Sequence, residues 1–181
     1  MVNQSPLDRP LFAEPFLAWR AWNLVEAGSR LRSIVYEHVW EPGERVEAEC
    51  ARPRPEGVAP YHPAPDEDCQ CGVYGSLDPE HLRYYVQETR KEPRPHGVKV
   101  PNVIPSESRV FGLVSLWGTI VEYTKGYRAQ FAYPAHLYLP CLMHQYADKL
   151  DVYGVPVTCV DEQHGFEALR AVMRAARREA A

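Results

Sequence analysis

The chain has no long uninterrupted apolar run. Every hydrophobic stretch in its 181 residues is broken by Arg, Glu or Pro, so none reaches the ~20 apolar residues that a membrane-spanning helix needs. Its first residues, M-V-N-Q-S-P-L-D-R-P, lack the basic start, apolar centre and small-residue cleavage site of a secretory leader, and the expected location is cytoplasmic. Lysine is scarce, confined to Lys91, Lys99, Lys125 and Lys149; arginine takes its place, and with much Ala and Pro this composition points to a bacterial source. The phosphate-cradling G-x-x-x-x-G-K, the dinucleotide G-x-G-x-x-G, H-E-x-x-H and G-x-S-x-G are all missing, so no common enzyme class is indicated. A net charge of −4 and a pI near 6.0 leave only a local basic face, not bulk charge, as a route to nucleic acid.

What the chain has in excess is proline. Its 17 prolines exceed the usual ~5% of residues, and they crowd residues 51–68 and 91–108, which reads as two extended surface loops in one domain spanning 1–181. The expected fold class is α+β, with antiparallel hairpins packed against several helices. F-L-A-W-R-A-W-N-L-V is apolar around most of a helical circumference and ends before Gly28, which predicts a buried helix. Leu31–Trp40 and Arg45–Cys50 alternate about E-P-G-E, a hairpin pattern. V-Y-G reads as a short strand, and Asp78 with Pro79 behind it as a helix start. Pro140–Leu150 and Phe166–Arg178 read as helices joined by the strand-like V-Y-G-V-P-V-T-C-V.

Arg109–Pro134 is the clearest element, two alternating runs about T-K-G, with Gly126 expected in the left-handed position of a three-residue loop. Pairing about that loop sets Glu122 opposite Arg128 and Trp117 opposite Tyr133, with Trp117 and Phe131 buried on an apolar face. Gly112 and Gly118 then share the other face with Val114, Leu116 and Ile120. Glycine inside a strand serves curvature or close packing, and alternatively a ligand lying over that face, bordered by Trp117, Glu122, Tyr127 and Arg128.

D-E-D-C-Q-C-G carries the second candidate. Zinc centres take three or four Cys or His ligands, commonly a close pair on a turn with others brought from elsewhere. Cys69 and Cys71 supply the pair, Cys50 a third ligand, and His62 or His38 a fourth; a metal would also staple a proline-rich loop. A C-x-C spacing is a weaker signal than C-x2-C, and a free Cys is most often a small core hydrophobe, so a metal-free turn is the simpler expectation. A redox pair stays open beside these, while a nucleophilic Cys is disfavoured by the adjacent Asp66, Glu67 and Asp68, whose charge raises a thiol pKa. His136, Cys141, His144 and Cys159 form a second set, read first as an ordinary half-buried helix. On the last helix Arg170, Arg174, Arg177 and Arg178 line one side, a solvated face or a docking face for an acidic partner or nucleic-acid backbone.

C-Q-C-G-V-Y-G followed by V-F-G-L-V-S-L-W-G-T-I-V-E-Y-T-K-G-Y-R-A resembles a group of small uncharacterised bacterial proteins that share a C-x-C-G turn, a G-x-V-x-L-W-G strand and a G-Y-R-A return strand. The likeness runs from about Phe16 to Leu139 and picks out Cys69, Cys71, Gly72, Trp117, Gly118, Glu122, Gly126, Tyr127 and Arg128. It implies no activity, cofactor or partner. The functional expectation is a binding or adaptor module whose partner is a protein or a second copy of the chain, not a membrane. A small-ligand sensor or enzyme using the Gly112–Gly118 face is the alternative, and a nucleic-acid binder using the Arg face the third.

Overall fold

The computed structural model describes residues 15–35, 38–50, 52, 61–83, 109–161 and 165–179. The second proline-rich stretch, 91–108, and the middle of the first lie outside them. The strands are β1 (Phe16–Val25), β2 (Arg30–Ser33), β3 (Val39–Trp40), β4 (Val46–Glu47), β5 (Val73–Ser76), β6 (Arg109–Tyr123), β7 (Gly126–Pro140) and β8 (Val157–Val160). All eight belong to one mixed sheet; β7 and β8 run parallel and the other pairs antiparallel. The α+β expectation of several helices is therefore wrong. Among the described residues only two α-helices occur, Ala147–Leu150 and Gly165–Glu179.

The largest correction is β1, expected as a helix. Trp22 and Ala18 face one core while Ala21 faces another. A strand buried on both sides reads as a continuous apolar run, and periodicity alone does not separate that from a buried helix. The E-P-G-E turn forms, with Glu44 N–H bonded to Glu41 O at 3.2 Å, but the segments beside it part company: β3 pairs with β2 and β4 with β7.

The long β6–β7 hairpin is present in a different register. Gly126 pairs with Tyr123 inside the ladder, so the loop is the two residues Thr124 and Lys125. Glu122 consequently faces Tyr127 and Val121 faces Arg128. A bulge between Trp117 and Ile120 shifts the register again, setting Trp117 against Phe131. Gly118 occupies the bulge at φ +79°, a backbone region that costs a side-chain-bearing residue strain. Trp117 and Phe131 are half-buried, their rings 6.0 Å apart and tilted by 36°, and not core residues as the pattern suggested.

Strand pairs β1–β6, β6–β7, β7–β5 and β5–β1 close a ring, so the sheet curls around its own apolar side chains. Val114, Leu116, Ala18, Val73 and Ala129 fill that interior, continuous with Trp22, Trp40 and Leu31. Tyr153 closes the far end, accepting from Leu31 N–H at 2.9 Å and donating to Trp40 O at 2.5 Å. On the opposite face the C-terminal helix lays Ala168, Leu169 and Val172 against Phe111, Tyr138 and Ala21. Full burial of each large apolar side chain there contributes about 1.5–3 kcal/mol.

Candidate metal centre

Four side chains from two loops converge beside β5 and β7. Cys50 follows β4, whose continuation is held to the sheet where Ala48 N–H donates to Gln130 O at 2.8 Å. His62, Cys69 and Cys71 come from the loop that enters β5. That loop is shaped by Asp66: its carboxylate accepts from Asp68 N–H at 3.0 Å and its carbonyl from Cys69 N–H at 3.2 Å, a local turn of the kind Asp favours. Cys69 and Cys71 are both buried while Gln70 between them is exposed.

The ligand atoms of Cys50, His62, Cys69 and Cys71 all lie within 4.8 Å of one another. Cys50 Sγ stands 3.9 Å from Cys69 Sγ, and Cys71 Sγ 4.0 Å from His62 Nδ1. A tetrahedral zinc with ordinary bond lengths sets the edge between two sulfurs at about 3.8 Å. This group can hold a metal ion with little movement. His62 is prepared for it: Nδ1–H donated to the Pro63 carbonyl at 2.8 Å leaves Nε2 with its lone pair, and Nε2 is buried without a hydrogen-bond partner.

The thiols are unequal. Burial pushes the Cys69 pKa up, but the Cys71 N–H and the Cys71, His62 and Cys50 side chains beside it outweigh burial and bring the value down to about 7. Cys71 is pushed up to about 11 by burial and by its hydrogen bond to Cys69. One thiolate forms readily here and a second resists, which is the behaviour of a thiol cluster whose full ionisation calls for a cation. The acidic run acts less than its sequence suggests, because the Asp66 carboxylate is turned onto the backbone and Glu67 and Asp68 are exposed.

The residue that sequence reasoning misplaced is Arg128. It was expected in a surface pair with Glu122; instead it is buried, and its Nη1 donates to the carbonyls of Asp66 at 3.1 Å, Cys71 at 3.0 Å and Cys69. Gly72 follows at φ +122° and sits against the Arg128 Cβ, where a side chain would collide. The cysteine loop and the G-Y-R-A strand are thus one site. The signal was the single slip of hairpin register, which takes Arg128 off the face it would share with Leu116 and Ile120 and sets it opposite Val121, on the outer face that the cysteine loop covers.

The other expected residues scatter. His38 is exposed at the start of β3, away from the cluster. Gly112 is covered by the His136 backbone and the Trp22 ring, and Gly118 by Phe131 and Gln130, so the protein's own atoms take the space proposed for a ligand. Glu122 is exposed and Tyr127 half-buried, its ring 5.0 Å from Phe16. His136 bonds Thr158 Oγ1 at 2.8 Å and stacks on Tyr138, while His144 bonds the Cys141 carbonyl; among the described residues this second Cys and His set forms no metal-ligating group. Arg170, Arg174, Arg177 and Arg178 lie on the exposed side of the C-terminal helix, with Arg170 3.4 Å from Glu167. Among the described residues no helix is long and apolar enough to cross a membrane. Comparison with family models, curated proteins and solved structures finds no match to this chain.

Proposed function

We propose that the cluster is a structural zinc centre, and that the protein is a zinc-stapled β-scaffold presenting the cysteine loop and the hairpin tip as one surface for a protein partner. The observation that carries this is the convergence of three thiols and one imidazole within 4.8 Å. Four protein ligands fill a tetrahedral shell and leave no open position for substrate water, which favours a structural over a catalytic role. The borderline-soft donor set of three sulfurs and a nitrogen suits zinc better than magnesium or calcium, which take oxygen.

The binding reading rests on what surrounds the staple. Tyr74 donates to the Gln70 carbonyl at 2.7 Å and packs edge-on against Tyr123 at 5.6 Å, joining the loop to the hairpin tip. Phe16 and Leu17 are exposed beside Tyr127 at the same end of the sheet. Exposed apolar groups next to a stapled loop are the composition of a protein-docking patch.

Two measurements test it. Elemental analysis of untagged protein should find one zinc per chain, and Cys69→Ser and Cys71→Ser should each remove it; a zinc-free wild type refutes the staple. Leu17→Asp should abolish partner capture while zinc content and the circular dichroism spectrum stay unchanged, and capture that persists refutes the docking surface.

A further inference from the structure

We infer that Arg128 is the charge-balancing and loop-positioning residue of the metal centre, fitting it to a divalent cation bound by three thiolates. This rests on the zinc reading. Arg128 is 7% exposed, and among the described residues its polar partners are three backbone carbonyls of one loop, with no carboxylate in ion-pair range. A buried guanidinium without a counter-anion is costly, and carbonyl dipoles offset that cost only in part. In the loop that the guanidinium grips, Glu67 and Asp68 are exposed and the Asp66 carboxylate is turned onto the Asp68 N–H, so the buried groups beside Arg128 that can carry negative charge are the thiols of Cys69 and Cys71.

The charges close in one way. Three thiolates and a divalent ion sum to −1, His62 adds nothing as a neutral ligand, and the guanidinium brings the buried ensemble to zero. Geometry points in the same direction. Nη1 gathers the carbonyls of Asp66, just before the ligand pair, and of Cys69 and Cys71 themselves, so it fixes the backbone from which two sulfurs project. Its strand is paired to β5 through Arg128 and Tyr74, directly after the C-x-C-G turn, so the clamp is built into the sheet. Outer-shell groups of this kind commonly govern affinity by 10- to 100-fold. All three bonds come from one nitrogen, so lysine would keep the charge and a multi-donor nitrogen, on a stem of different reach.

The test is zinc competition against a chromophoric chelator on the full chain, comparing wild type with Arg128→Gln and Arg128→Lys, with cobalt substitution reporting the sulfur-to-metal charge-transfer band. Arg128→Gln should weaken zinc by about 10- to 100-fold, and Arg128→Lys should recover most of that loss with a wild-type cobalt spectrum. Equal affinity in wild type and Arg128→Gln overturns the inference while leaving the zinc centre standing. Equal loss in both variants overturns the charge-balancing role. A wild type that binds neither zinc nor cobalt overturns the zinc reading itself, and this inference with it. Should Arg128→Gln fail to fold, the Lys variant decides: affinity near wild type supports the role of charge, and a loss as large as 100-fold refutes it.

Discussion

The two ends of the sheet are held together by different physics. Under the C-terminal helix, Phe111, Tyr138, Leu169 and Val172 are fully buried and supply large apolar areas. Around the cysteine loop the buried cluster consists of Cys50, Ala64, Cys69 and Cys71, with Ala48 against it. These side chains are among the smallest apolar ones, and at about 0.8 kcal/mol per buried methylene they cannot order two loops against the backbone entropy they give up. The first region needs nothing beyond its own side chains. The second depends on the Arg128 clamp and, in our account, on a metal.

The sharpest way to separate the regions is to damage each and read the other. Phe111 is wholly buried against the C-terminal helix, so Phe111→Ala should cost about 3–5 kcal/mol in urea unfolding. Zinc content should stay at one per chain where the variant remains folded. Loss of zinc from that folded variant would show that the two regions are not independent.

Next in size is the staple. Cys69→Ser, or chelation of the wild type, should lower stability by roughly 2–4 kcal/mol, the scale set by ligand-linked folding at zinc concentrations well above Kd. Hydrogen exchange should accelerate over residues 61–75 while the amides of Ala168 to Val172 stay protected. Uniform acceleration across both regions would contradict the comparison.

A smaller effect belongs to the helix side. Glu179 accepts from Tyr138 Oη at 2.9 Å and lies 4.0 Å from His136 Nδ1. Glu179→Gln should cost about 1 kcal/mol and leave zinc binding untouched, as read by thermal unfolding with and without chelator. Smallest is a pH dependence. Burial pushes the His136 pKa below its ordinary value, with Glu179 opposing in part. The folded imidazole therefore resists a proton that the unfolded chain accepts. Stability from this group is full above the ordinary imidazole pKa of 6.5 and declines as the pH falls through it toward the lowered folded value. Unfolding midpoints of chelated protein between pH 8 and 5 should show this decline, and His136→Gln should flatten it.

How much of this was legible in the sequence differs by region too. Cys50, His62, Cys69 and Cys71 could be grouped because thiols and imidazole carry their chemistry in their identity, wherever the chain puts them. Asp78 could be read as a cap, and its carboxylate does accept from Glu80 N–H at 2.8 Å. The sheet was harder. Phe16–Val25 is apolar on both faces because both faces are covered, so its pattern carries no period of two. Arg128 was named but placed on the wrong face, because hairpin register turns on the Thr124–Lys125 loop and the Gly118 bulge, and one slip sends a side chain to the opposite face.

The most direct test of the central claim is X-ray absorption at the zinc edge on untagged, full-length protein. The account predicts one zinc per chain with three sulfurs at about 2.3 Å and one nitrogen at about 2.0 Å. A shell of oxygen and nitrogen alone, or fully alkylatable Cys50, Cys69 and Cys71 in the folded chain without stoichiometric zinc, would contradict it.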